Sequence, residues 1–148
     1  MKHLRAIRRW QEEHPREVTP TFRGAHRVPA EYKQDRAEYI RRVCEEMMPA
    51  VKEQGIAKFC DVFCEADTFT VEESRQILEA GLRHGLRPKI HADEIASIGG
   101  SPLAGEIGAI SPAHLTVCPP DGLARLAKGC VTACLLPPPR IRLPSHYD

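Results

Sequence analysis

The sequence predicts an α/β protein, specifically a partial (β/α)8 barrel: about five consecutive βα units in a single partial domain over residues 1–148. Three observations carry that expectation. Short β-prone runs alternate with amphipathic helical segments, with short connections and apolar strands, which argues for a parallel sheet with covering helices. No Gly-rich phosphate fingerprint follows any strand. His26, Glu65, His91 and His114 all fall at the C-terminal ends of predicted strands, where barrel enzymes concentrate their chemistry. The alternation alone fits an open doubly wound sheet as well; the strand-end residues favour the barrel.

Leu4, Ile7 and Trp10 recur at helical spacing and stop before Pro15, as in a short amphipathic helix. "TPTFRGAH" (19–26) reads as the first strand, and the turn-like "RVPAEYKQD" as the loop after it. From Arg36 to Lys52, Ile40, Val43, Met47 and Val51 mark one helix face, with Pro49 expected to kink it or open a new turn. In "AKFCDVFCEA" (57–66), Phe59, Asp61, Phe63 and Glu65 share one strand face, and Cys60, Val62 and Cys64 the other.

Thr70 and Glu73 form a capping box for a helix from about Val71 to His84, with Gly85 as its stop. "RPKIHADE" is a third strand, Ser101-Pro102 opens a helix, and "AISPAHL" (109–115) is a fourth strand. Asp121 is expected to cap "GLARLAKG", and "CVTACLLP" (130–137) to form a fifth strand before an irregular "PPPRIRLPSHYD".

A length of 148 residues suffices for one domain with a sizeable core. The 21 basic and 20 acidic residues are spread along the chain, so no footprint for nucleic acid or an anionic membrane is present, and a small ligand is expected. The absence of a bilayer-length apolar run and of secretory features in the opening segment leads to a cytoplasmic expectation. The six cysteines sit mostly inside apolar runs and are expected reduced and buried; without a C-x-x-C pair they make no zinc knuckle.

In "KIHADE" the alternation puts His91 and Asp93 on the face opposite Ile90 and Ala92. A neutral imidazole at a barrel mouth suits Zn2+ or Fe2+, and Glu94 could then exchange protons with water there; Asp93 is placed to orient His91 or a neighbour. The same spacing equally fits a hydrogen-bonded strand-end histidine beside a solvated glutamate. His26 and His114 at equivalent strand ends tilt the balance towards a site. Glu65 could bind a basic substrate group, or simply pair with a lysine or arginine. His3, His14, His84 and His146 lie in helical or terminal positions and are expected at the surface.

"PTFRGAHRVPAEY", "EEMMPAVKEQGIAKFCDVFCEADTFTVEESRQILEAGLRHGLRPKIHADEI", "GGSPLAGEIGAISPAHL" and "LARLAKGCVTACLLP" together resemble the middle of imidazolonepropionases, of the amidohydrolase superfamily, from about Leu4 to Pro137. The resemblance implies a metal-dependent barrel hydrolase that opens 4-imidazolone-5-propanoate with water to N-formimidoyl-L-glutamate in histidine degradation. It implies one zinc or iron ion per complete site with His91 as a ligand, Glu94 contacting substrate and water, His26 binding substrate, and His114 near the reacting centre. The parent is a candidate homodimer.

The family's His-x-His pair and late aspartate, both metal ligands, have no match here, and neither does its second-strand tyrosine. Ala113 stands where the family usually has aspartate, and "LLPPPRIRL" replaces a Gly-containing stretch. The expectation is therefore a fragment that is inactive by itself. The alternatives are a non-catalytic remnant or interaction piece, or an amidohydrolase acting on another cyclic amide or amidine.

Overall fold

A computed structural model describes residues 2–135. Helix α1 (Lys2–Glu13) precedes strand β1 (Thr21–Ala25), and a 3-10 turn (Ala30–Tyr32) leads to α2 (Arg36–Arg42). There follow α3 (Met48–Gln54), β2 (Phe59–Cys64), α4 (Val71–Arg83), β3 (Arg87–Ala92), α5 (Gly100–Glu106), β4 (Pro112–His114) and α6 (Pro120–Lys128). The strands form one parallel sheet in the order β1-β2-β3-β4. Every crossover moves one place in the same direction. That is the winding of a barrel segment, without the reversal that defines a doubly wound sheet.

The local chemistry explains most boundaries. The Thr70 hydroxyl accepts from the Glu73 amide at 3.2 Å while the Glu73 carboxylate accepts from the Thr70 amide at 2.9 Å, completing the expected capping box. Arg36 reaches the same Glu73 at 2.7 Å and so ties α2 to the start of α4. The long helix expected over Arg36–Lys52 does form, with a π-helical stretch (Val43–Met47) just before Pro49. Widening the turn there accommodates the proline, which has no amide to give. Gly55, at φ 62°, closes α3 in the left-handed conformation.

The core lies between the sheet and its helices: Val43, Met48 and Val51, then Ile77 and Leu78, pack on Cys60, Val62, Cys64, Ile90 and Ala92. Gly100 lets α5 start directly against β3, since a side chain there would come within 2.6 Å of the Ala92 Cβ. Burying these side chains contributes about 1.5–3 kcal/mol each for the larger aliphatics.

Three expectations need correction. Residues 130–135 do not form a strand; only Cys134 bridges to Ala113, with amide-to-carbonyl bonds of 2.8 and 3.2 Å. β4 is three residues long and offers too short a ladder to extend the pairing. Leu136, Pro137 and the rest of the proline-rich tail, His146 included, lie outside the described residues. Asp121 does not cap α6, because the helix starts one residue earlier behind Pro119 and places Asp121 in its first turn, where it faces the dipole instead. The cysteines are free, but only Cys44, Cys60 and Cys64 are buried; Cys130 and Cys134 are exposed.

Among the described residues no helix is long and apolar enough to cross a membrane.

Candidate functional site

Each strand delivers one or two side chains to a common point at its carboxyl end. β1 carries a bulge between Phe22 and Ala25, and the Tyr39 hydroxyl donates to the Gly24 carbonyl at 2.6 Å, fixing the turn from which His26 projects. β2 contributes Asp61 and Phe63, and β3 contributes His91, paired in register with Phe63. β4 ends at His114, whose φ of 74°, followed by 56° at Leu115, turns the chain sharply as it leaves the sheet. Backbone held in that region by a side-chain-bearing residue costs free energy and needs surrounding contacts to sustain it.

The result is a tight cluster. The His26 and His91 rings lie edge to face with centroids 4.7 Å apart, and His91 and His114 are 5.2 Å apart. Glu94 Oε2 is 3.4 Å from His114 Nε2. The structure thus brings together four of the residues singled out from the sequence, His26, His91, Glu94 and His114. His3 lies on α1, His14 directly follows it and stacks on Trp10, and His84 caps α4.

Asp61 organises the centre. Its Oδ1 is 3.0 Å from His91 Nδ1, its Oδ2 3.4 Å from His26 Nε2, and Arg23 approaches at 3.9 Å. Burial alone would raise the Asp61 carboxyl, but the hydrogen bonds from His26 and His91 outweigh it and hold the group well below the usual carboxylate range. His114 is shifted down, mainly by burial and in part by His91, with the Glu94 charge pulling the other way; its imidazole is therefore neutral near pH 7. A cavity of about 280 Å³ beside the cluster is lined in part by Arg23, Asp61, Lys89 and His91.

Asp61 was not singled out in the sequence, although it shares the inward face with Phe63. Its 30-residue separation from His91 hides the contact. Asp93, expected to orient His91 or a neighbour, does not reach His91: at φ 51° it leaves the strand, and its carboxylate is buried elsewhere. Glu65 binds neither a cation nor the open mouth. It is 3% exposed and accepts hydrogen bonds from the amides of Glu94, Ile95 and Ala96.

His26, Asp61 and His91 each offer one donor atom, all within 4.8 Å of one another, a set that could hold a metal ion. Two imidazoles and a carboxylate suit zinc or iron. The carboxylate–histidine contact at His91 Nδ1 is also the arrangement that orients a ligand histidine and leaves Nε2 to bind the ion. The donor set therefore fits a metal, with His91 best prepared.

No protein-family model matches the chain. It is 48% identical over 137 residues to the imidazolonepropionase of Shouchella clausii, and 52% identical over the same length to that of Geobacillus thermodenitrificans. The match to the Symbiobacterium thermophilum imidazolonepropionase is 50%. These alignments take in 91–93% of this chain and 31–32% of each relative. A crystal structure of a Xaa-Pro dipeptidase with bound methionine overlaps 61% of this chain and 25% of its own, at a TM-score of 0.47 and 17% identity. Across nearly all of its length the chain is similar in sequence to imidazolonepropionases, and it spans about a third of theirs.

Proposed function

We propose that this chain forms part of an imidazolonepropionase-type hydrolase, a metal-dependent (β/α)8 barrel that opens the cyclic amide of 4-imidazolone-5-propanoate to N-formimidoyl-L-glutamate. The observation that carries the reading is its roughly 50% identity to imidazolonepropionases over 137 residues. The meeting of His26, Asp61, His91, Glu94 and His114 at the strand ends supports it.

In this reading His91, oriented by Asp61, is a metal ligand. Zinc or iron held there would supply Lewis acidity and would bring the pKa of a bound water down towards about 7. Glu94 takes a proton from the attacking water and returns it to the ring nitrogen as the carbon–nitrogen bond breaks, so the water's oxygen ends on carbon and its proton on nitrogen. His114, neutral near pH 7, accepts or donates a hydrogen bond beside Glu94 as that carboxyl changes state. His26 holds the substrate. The enzyme would work in the cytoplasm on a small molecule, with homodimerisation as a property of the whole protein.

The test is a chimera in which residues 2–135 replace the matching third of the Geobacillus thermodenitrificans relative. Loaded with zinc or iron, it should consume imidazolone propionate, and His91→Ala should abolish that. A folded, metal-loaded chimera with no turnover would sink the reading, and the second class of function, a non-catalytic remnant, would take its place.

A further inference from the structure

We propose that Glu65 is a positioning residue: its buried carboxylate grips the backbone of the loop after β3 and thereby holds the Glu94 carboxylate against His114. This role rests on the one proposed for Glu94, while its geometry stands on this chain alone. Glu65 follows β2 directly. Its Oε2 accepts from the amides of Glu94 and Ile95, both at 3.1 Å, and its Oε1 accepts from Ala96 at 2.9 Å and from its neighbour Ala66 at 3.3 Å.

Three successive amides converging on one anion make a nest, here filled by the protein's own carboxylate. Such charge-assisted bonds are stronger than neutral ones. The positive φ of Asp93 turns the chain so that these amides face β2. The same loop is tied on its other side, where the Asp93 carbonyl accepts from the Val117 amide at 2.9 Å and the Ala92 carbonyl from Leu115 at 3.1 Å. Glu94 is thus fixed through its own amide to β2, and through the preceding peptides to the segment that carries His114. Its side chain has one short reach left, and His114 Nε2 lies at the end of it, 3.4 Å away.

The clamp has a property that mere burial would not. Each carboxylate oxygen serves two amides, so in Glu65→Gln the side-chain NH2 faces two donors whichever way the amide lies. The test is made by NMR on this chain and needs no turnover. The change that Glu94→Gln produces in the His114 ring resonances defines the mark of the neighbouring carboxylate. Glu65→Gln should move the same resonances in the same direction and speed hydrogen exchange at two or more of the amides of Glu94, Ile95 and Ala96 on the order of tenfold. Glu94→Gln should leave those amides slow, and amides in the middle of α4 should be unaffected by either change.

Unchanged exchange in Glu65→Gln, or faster exchange with an unmoved His114 ring, overturns the proposal. Should that variant not fold, wild-type protein decides: scalar coupling across the hydrogen bonds, from the three loop nitrogens to the Glu65 carboxyl carbon, must be present, and its absence overturns the clamp. Failure of the hydrolase reading would show separately, as a metal-loaded chimera without turnover alongside intact NMR results.

Discussion

Asp61 within β2, Glu65 directly after it and Asp93 just beyond β3 are all carboxylates with 3% exposure or less, yet their surroundings differ completely. Both oxygens of Asp61 meet histidines, and both oxygens of Glu65 meet amides. Among the described residues neither oxygen of Asp93 has a nitrogen or oxygen donor, and the Ser101 hydroxyl is likewise without one; what lies beside both is the Cys118 thiol, a weak donor. Burial does not by itself mark a functional carboxylate. The two that organise the strand ends are those whose charge is answered by donors from other strands or loops, and Asp93 is buried without such an answer.

The largest effect that this contrast predicts is at Glu65. Glu65→Ala strands four amides that now share one anion, and it should cost about 3 kcal/mol in urea unfolding. A loss below about 1 kcal/mol would mean that water replaces the carboxylate freely, and the distinction from Asp93 would lose its meaning. Asp61→Asn keeps the shape but loses the charge that pairs with His91 and His26, and should cost about 2 kcal/mol. It should also weaken zinc binding about ten- to a hundredfold, read by competition with a chromogenic chelator, because His91 loses the group that orients it. Equal zinc affinity in wild type and Asp61→Asn would detach Asp61 from the candidate metal site.

Asp93→Asn should behave in the opposite way. It removes a buried carboxylate approached only by the weak Cys118 thiol, and asparagine tolerates the left-handed conformation at φ 51°, so stability should stay the same or rise by up to about 1 kcal/mol. A loss as large as that of Asp61→Asn would show a partner at Asp93 and erase the comparison.

The same contrast explains what could be read in the sequence. Alternating strands and helices, the Thr70 capping box and the histidines at strand ends are local patterns, and all three are found in the fold. Asp61 could be placed on the inward face, but its contact with His91 depends on a register, Asp61 beside Lys89 and Phe63 beside His91, that no local pattern encodes. Period-two alternation puts Asp93 beside His91 only if the strand continues, but β3 ends at Ala92 and the backbone changes hand at Asp93. Glu65 was misjudged for a related reason: its partners are backbone amides, which leave no trace in residue identity. The β-prone "CVTAC" run lacked a sufficient neighbour, since strand formation needs a ladder as well as propensity.

The smallest effect reads the contact between Asp93 and the Cys118 thiol. The Cys118 thiol is pushed up first by burial, with the Ser101 hydroxyl opposing and the charge and contact of Asp93 adding to the rise. The Cys64 thiol, raised to about 11 chiefly by burial, also feels Asp93. Only the thiolate reacts with iodoacetamide, so Asp93→Asn should speed alkylation of half-buried Cys118 at pH 8 severalfold. Cys64, fully covered by the sheet and α5, should stay unreactive in both proteins, and exposed Cys130 and Cys134 should react at unchanged rates. An unchanged Cys118 rate would mean that the Asp93 carboxylate does not act on that thiol. Asp93 would then stand apart from the thiol as well, and the difference between the two ends, β2 and β3, would be one of full against absent pairing.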